Sequence, residues 1–376
     1  MGIAVIDLFA GAGGLGLGVT KAGGDLRLSV EKDVFACDTM LANKEFHSGE
    51  VWCEDISKIC GKDLLERASI IESEPFVIVG GPPCQPFSKA SYWTDSGDES
   101  RYRKARSKGE KADKPKPITE AKEDARRSMV FEFYRLIKES NPNGFLFENV
   151  PSILHPRNVE TFNNLRKSLE TLGYFTRLIK ANGQHYGLAQ KRQRIVLIGS
   201  KNYIPEEPKM SHSDNLDLIS KGIKPFVMTG DVLKQFDKKK FFEEGEVVNG
   251  KWENHLKEIP PGKNYKALTA WAGHPNPSFV AETRFWNFLL KLSPKMPSWT
   301  IAASPGPWTG PFHWKSRRLR TVEMAELQGF PLGYRFIGSR REKVRQIGNA
   351  LPSHIASACL TSIFETINSE QPVELV

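Results

Sequence analysis

Residues 76–88 read FVIVGGPPCQPFS. The stretch opens as an unbroken apolar run, Phe76 to Val79, and breaks at Gly80-Gly81-Pro82-Pro83. A short run of β-branched and aromatic residues bounded by Gly and Pro predicts a buried strand of a parallel sheet, and with it an α/β fold. Cys84 then lies just past the carboxyl end of that strand, where open α/β sheets place ligands and chemistry. Pro82, Pro83 and Pro86 restrict the backbone around it, so the thiol is held in a set position. A cysteine presented this way is a candidate nucleophile. The plainer reading, a small buried hydrophobe in a turn, is the commoner fate of a single cysteine. The rest of the chain has to decide between them.

Upstream, Ile3 to Phe9 (IAVIDLF) predicts another apolar strand, running into Ala10-Gly11-Ala12-Gly13-Gly14-Leu15-Gly16-Leu17-Gly18 and then a helix. Strand, glycine turn and helix form a nucleotide-binding arrangement, because glycines let the backbone approach a ligand and leave amide N–H groups near it. Gly11, Gly13 and Gly16 satisfy GxGxxG, so a nicotinamide dehydrogenase is one reading, resting on that match alone. A strand from Leu26 to Val30 ends at Glu31, where a carboxylate can accept from ribose hydroxyls. Its alternative is an ordinary surface glutamate. Asp55 and Ile56 follow a third strand at Val51 to Glu54, where an acid could meet an adenine amino group.

Downstream, Arg101 to Lys116 carries eight basic residues (Arg101, Arg103, Lys104, Arg106, Lys108, Lys111, Lys114, Lys116) and two acidic ones, Glu110 and Asp113. Such a run cannot build a core and is expected to form a mobile surface loop. It reads either as a solvated charged loop or as a flap closing over phosphates. Arg127 to Lys138 has helical periodicity, and Phe145-Leu146-Phe147 is a strand ending at Glu148, on the same sheet edge as Cys84. Gln190-Lys191-Arg192-Gln193-Arg194 enters a later strand, with Gln190, Arg192 and Arg194 expected to alternate onto one face. From about Lys201 to Lys315 the chain turns rich in Pro, Trp and Lys and loses the βαβ rhythm. That segment is expected to be a smaller, irregular β-and-loop domain, with Trp252, Trp271, Trp286 and Trp299 in its core. Residues 1–200 and 316–376 would form the larger domain.

Six blocks stand in one order: DLFAGAGGLGLG, GGPPCQPFS, FENV (147–150), QKRQR (190–194), RRLRTVEMAELQGFP (317–331) and QIGNALP (346–352). Together they closely resemble the cytosine-C5 DNA methyltransferases of bacterial restriction-modification type. The resemblance covers residues 1–200 and about 300–376. It implies a Rossmann-like S-adenosylmethionine-dependent methyltransferase sheet, with a second, smaller target-recognition domain at 201–315. It makes Cys84 the nucleophile, Glu148 the acid at the base, and Arg192 and Arg194 the holders of the base's O2 edge and nearby backbone. The cofactor, leaving as S-adenosylhomocysteine, would sit on Phe9, Ala10, Gly11, Gly13 and Gly14. Glu31 would take the ribose, Asp55 and Ile56 the adenine, with Pro82 and Asn349 alongside. Gln85, Ser88, Arg101, Arg103 and Lys104 would meet DNA, and no metal is implied. Arg320 departs from the family pattern, which commonly has threonine there. The runner-up is a tRNA cytosine-C5 methyltransferase built on the same motifs. A non-catalytic DNA-binding module would not need Cys84 and Glu148 together.

Composition fits this reading. The 376 residues have room for two domains; 39% are hydrophobic and 26% charged, ordinary for a globular enzyme. The net charge of +9 suggests a polyanionic partner, here double-stranded DNA. No apolar run approaches a membrane span, and the N-terminus opens into a strand, not a signal peptide. The five scattered cysteines lack a CxxC pair, which argues for reduced thiols in a cytoplasmic setting. A monomer working in the bacterial nucleoid, with a possible cognate restriction endonuclease, is the expected organisation.

Overall fold

A computed structural model describes residues 2–87, 111, 124–279 and 286–369. Ser88, Arg101, Arg103 and Lys104, with almost all of the expected flap, lie outside the described residues.

The centre is a seven-stranded sheet. Its strands are β1 (Ala4–Leu8), β2 (Asp25–Glu31), β3 (Glu50–Cys53), β4 (Phe76–Gly80), β5 (Gly144–Asn149), β6 (Phe175–Asn182) and, after a two-residue β7 (Gln190–Lys191), β8 (Gln193–Ser200). They run in the order β3-β2-β1-β4-β5-β8-β6. All neighbours are parallel except around β8, which is antiparallel to both β5 and β6. Strand β4 is buried at every position, as the apolar run predicts.

Period-two alternation explains why these strands are apolar throughout, since both faces are covered. Ile6, Leu8, Ile78, Phe145 and Phe147 face one core with α3 (Gly61–Arg67), α4 (Met129–Ser140) and α5 (Val159–Thr171). Val5, Val77, Val79 and Leu146 face the other, with α1 (Gly14–Lys21) and α8 (Ser353–Asn368). The first and last helices therefore lie side by side. A Cβ at Gly18 would fall 2.3 Å from the Cβ of Ala356, so glycine lets α1 close onto α8.

Segment 201–315 is less β-rich than the sequence suggests. Its strands are two residues long and its helices span at most six residues. Burial here comes from aromatic edges. Trp252, Tyr265, Phe279 and Phe288 pack at centroid distances of 5.0 to 5.9 Å in a small core with Leu256 and Phe312. Leu233 and Phe236 instead join a core shared with α6 (Thr321–Gln328) and α7 (Arg340–Asn349). Trp252 and Trp299 pack against these cores, but Trp286 is 49% exposed and meets Trp299 edge-on at 4.5 Å. The expectation of a buried Trp286 is corrected by that exposure.

Arg320, the departure from the family pattern, is 6% exposed. Its guanidinium forms a two-point pair with Glu246 and donates to the carbonyls of Phe236 and Lys238. It latches α6 to the 236–246 segment. Removing one partner of a buried pair strands the other charge away from water. Arg320→Met is expected to destabilise the protein by about 3 kcal/mol or more in urea unfolding. Lys257→Met, at the solvent-exposed Lys257–Glu253 pair, should change stability by less than about 1 kcal/mol.

Candidate active site

In-register pairing brings the chemistry to one edge. Leu8 pairs with Gly80, and Gly80 with Phe147, so β1 and β4 end level with Phe147 of β5, which continues two residues further along β8. Phe9, Gly81 and Glu148 are the next residues on each. Strand β8 runs the other way, with Asn149 opposite Ile195, so Arg194 reaches the same edge from its amino end. A cavity of about 370 Å³ opens there. Its walls are residues 9–12, Glu31, residues 54–56, residues 81–85, the Glu148–Arg194 pair and residues 349–351.

Cys84 is half-buried, beside that pair. Glu148 Oε1 lies 2.6 Å from Arg194 Nε, with both residues 8% exposed. A Cβ at Gly81 would stand 2.9 Å from Glu148 Oε2, so glycine leaves the carboxylate its room. Burial pushes the Glu148 carboxyl above the usual carboxylate range, against the opposing pull of Arg194 and Arg192. Burial also raises the Cys84 thiol, and the Glu148 charge adds to the rise, while Arg194 and Arg192 counter it. The amide of Asn149 donates to Pro82 O at 3.4 Å, tying the FENV strand to the proline turn.

At the other end of the cavity, Phe9 and Gly11 have φ of 58° and 55°. The left-handed backbone at Phe9 costs of order 1 kcal/mol, and the surrounding turn holds it. Gly11 N donates to Glu31 Oε2 at 2.8 Å; Lys32 N and Asp33 N donate to Oε1 at 2.9 and 2.8 Å. A carboxylate has about four lone-pair sites, so one remains for a ligand. Asp55 accepts from Ser57 N and Oγ at 3.1 and 2.8 Å, which holds its carboxyl below the usual range. A Cβ at Gly11 would meet nothing within 4 Å, so the turn leaves open space against the cavity. Acidic acceptors at Glu31 and Asp55, apolar walls at Phe9, Ile56 and Pro82, and this bare turn together fit a nucleoside.

Three expectations are corrected. Gly13 and Gly14 do not line the cavity. A Cβ at Gly13 would stand 2.2 Å from the His47 ring, and one at Gly14 would stand 2.4 Å from Leu351 O, so both serve close packing. Arg192 does not reach the cavity either. It is 0% exposed, and its guanidinium donates to the carbonyls of Ile301, Gly348 and Ala350. The alternation fails at this residue: Gln190–Lys191 pairs with Ser298–Trp299, and Arg192 N turns back onto Gln190 O at 3.1 Å.

Other contributors went unread in the sequence. Arg127 donates to Pro86 O at 3.2 Å and Asn158 Oδ1 at 2.8 Å, and its guanidinium lies 5.1 Å over Phe87. It clamps the turn after Cys84. Arg126, held by Asp124 at 3.0 and 2.7 Å, lines the cavity, as does Arg345. The only signal was two arginines preceding α4. Asp7, within the glycine block, is fully buried, and burial pushes its carboxyl well above the usual carboxylate range against the opposing pull of the Gly16 backbone.

The thiolate is the reactive form, so a raised thiol is sluggish at neutral pH. Iodoacetamide alkylation of Cys84 should climb about tenfold per unit between about pH 7 and pH 9 without levelling off. Glu148→Gln removes the charge that raises the thiol, and the profile should move to lower pH. Mass-spectrometric rates at Cys84 read both.

The model of the C-5 cytosine-specific DNA methylase family matches residues 3–365. The chain is 32% identical to the Type II methyltransferase M.SacI of Streptomyces achromogenes, over 96% of this chain and 93% of that protein. It is 27% identical to M1.HphI of Haemophilus parahaemolyticus, over 98% and 89%. Among solved structures, the Entamoeba histolytica methyltransferase EhMeth shares the fold, with a TM-score of 0.62 at 13% identity, covering 98% of this chain and 100% of that one.

Proposed function

This chain belongs to the C-5 cytosine-specific DNA methylase family, and from that premise we propose that it methylates carbon 5 of a cytosine in double-stranded DNA as the modification enzyme of a type II restriction-modification system. The observation that carries the mechanism is the meeting of Cys84, Glu148 and Arg194 at one cavity. The Type II methyltransferase relatives, matched across almost the whole chain, favour DNA over the tRNA reading.

Carbon 5 of cytosine is a poor nucleophile because the ring is aromatic and electron-poor. Addition of the Cys84 thiolate at carbon 6 breaks the aromaticity and makes carbon 5 enamine-like. Negative charge then develops toward N3, where Glu148, with its carboxyl raised by burial, is able to donate a proton. Arg194 holds Glu148 through Nε and donates from Nη1 to Gln193 O at 2.8 Å, which leaves Nη2 for the O2 edge of the base. None of this is possible inside a base stack, so the cytosine is flipped out.

S-adenosylmethionine, when bound, supplies the sulfonium methyl and leaves as S-adenosylhomocysteine. In this reading Glu31 accepts from the ribose hydroxyls, Asp55 and Ile56 meet the adenine, and Phe9, Ala10, Gly11 and Pro82 enclose the rest. Residues 201–315 form the target-recognition region, its side chains reading major-groove edges while Lys and Arg fix register on phosphates. Gln85, Ser88, Arg101, Arg103 and Lys104 are assigned to DNA as well. No helix among the described residues is long and apolar enough to cross a membrane. A cytoplasmic monomer, whose methylation protects sites that a cognate restriction endonuclease would cut, completes the reading.

Cys84→Ala is expected to abolish methyl transfer to plasmid DNA while S-adenosylhomocysteine and DNA still bind; residual turnover in that variant refutes the covalent step. Glu148→Gln should slow single-turnover methylation by about a hundredfold or more, the usual range for a lost general acid. Affinity for DNA should fall steeply as salt rises from about 50 to 200 mM, and a flat response in a titration series counts against phosphate contacts.

A further inference from the structure

Among the described residues Arg192 is the largest side chain with essentially no exposure, and none of their carboxylates forms an ion pair with it. Nη2 donates to Gly348 O at 2.7 Å and to Ala350 O at 3.0 Å; Nη1 donates to Ile301 O at 3.2 Å. Burying a cation against neutral carbonyls alone is costly, so the site needs a reason for arginine. Two features of the surroundings supply one.

First, the carbonyls belong to a helix end. Helix α7 stops at Asn349 and leaves its last carbonyls without intrahelical partners. A cation there satisfies them and meets the negative end of the helix dipole. Second, the two carbonyls gripped by Nη2 flank a single residue, Asn349, which lines the cavity with Ala350 and Leu351. The same short segment is pinned from other sides. Gln328 donates to Ala350 O, and Gln190 donates to Gln328 Oε1 at 2.9 Å while its Oε1 accepts from Ile301 N at 3.1 Å. A Cβ at Gly348 would fall 2.4 Å from Ala303 Cα, so the helix end lies directly against the backbone returning from the recognition region.

We propose that Arg192 is a positioning residue that sets Asn349 against the methyl donor by gripping the carbonyls on either side of it. The grip also ties that wall of the donor cavity to Ile301, near the end of segment 201–315, where the chain heads back toward the sheet. Lysine cannot replace it, because one ammonium cannot span carbonyls from two segments in a fixed fork. The inference rests on the proposed function for the identity of the donor. It differs from the base-holding role implied by the QKRQR block, because Arg192 touches neither base nor donor.

The test is a double-mutant cycle read by calorimetric titration of S-adenosylhomocysteine into the full-length protein without DNA. Arg192→Lys and Asn349→Ala should each weaken binding about tenfold or more. The double variant should bind no more weakly than the worse single one, since one residue acts through the other. For Arg192→Lys the KM for S-adenosylmethionine should rise with kcat at saturating donor nearly unchanged, a split that general loosening would not give. Wild-type affinity in a folded Arg192→Lys variant, or single effects that simply multiply in the double variant, overturns the proposal. If Arg192→Lys does not fold, Gln328→Met, which loosens the same grip on Ala350, takes its place in the cycle under the same criteria. Variants that bind like wild type defeat this inference alone, whereas no binding by the unaltered protein defeats the methyltransferase reading with it.

Discussion

A carboxylate and a guanidinium 2.6 Å apart, each in a residue only 8% exposed, set the conditions for the rest of the site. Neither ion would be tolerated there alone, since desolvation would neutralise or expel it. Their pairing depends on the sheet. Glu148 is fixed by β5, Arg194 by an antiparallel neighbour, and the gap between them by register. A one-residue slip of β8 would turn the arginine to the opposite face of the sheet. Gly81, on the next strand, then matters because any larger residue would displace the carboxylate. The reactive edge is thus a product of strand pairing, and the seven-stranded order exists around it.

Arg194, Arg320 and Arg192, three of the buried arginines, show three ways of keeping a cation out of water. Arg194 has a carboxylate partner and faces the cavity. Arg320 has Glu246 and two carbonyls, and joins segment 236–246 to α6. Arg192 has carbonyls only, and sits where the chain returns from segment 201–315. The two that do no chemistry both stand at crossings between the large sheet and the irregular segment. Such joints are directional, because a guanidinium fork accepts one geometry, whereas an apolar contact tolerates sliding. Their placement holds segment 201–315 at a set orientation to the cavity.

Much of this was legible in the chain. The apolar runs at β1, β4 and β5, the breaks after them and the level of Cys84 with Glu148 all follow from period and punctuation. What escaped has a common cause: it depends on neighbours far away in sequence. Gly13 and Gly14 read as ligand-facing because the family resemblance assigns the glycine turn as a whole to the cofactor, yet His47 and Leu351 O are what demand them. Arg192 looked like a strand residue in alternation because nothing local reveals that Gln190–Lys191 leaves the main sheet to pair with Ser298–Trp299. Helix α7 was hidden by a polar stretch, Arg340 to Arg345, whose buried face is supplied only by Val344, Gln346 and Ile347. Segment 201–315 offered no period because its core is built from aromatic edges rather than from a repeating stripe.

The electrostatics of the edge carry a consequence for how its parts act together. Burial raises the thiol of Cys84, and the charge on Glu148 raises it further while that carboxylate is ionised. Burial also raises the Glu148 carboxyl above the usual carboxylate range. Protonation of Glu148 removes its share of the rise and leaves Arg194 and Arg192, which both favour the thiolate. On the proposed reading, Glu148 must carry a proton before it can give one to the ring at N3, so the enzyme form that supplies the acid is also the form in which the carboxyl places no charge against the thiolate. The two groups therefore act as a coupled pair, one proton on Glu148 serving both the acid and the nucleophile.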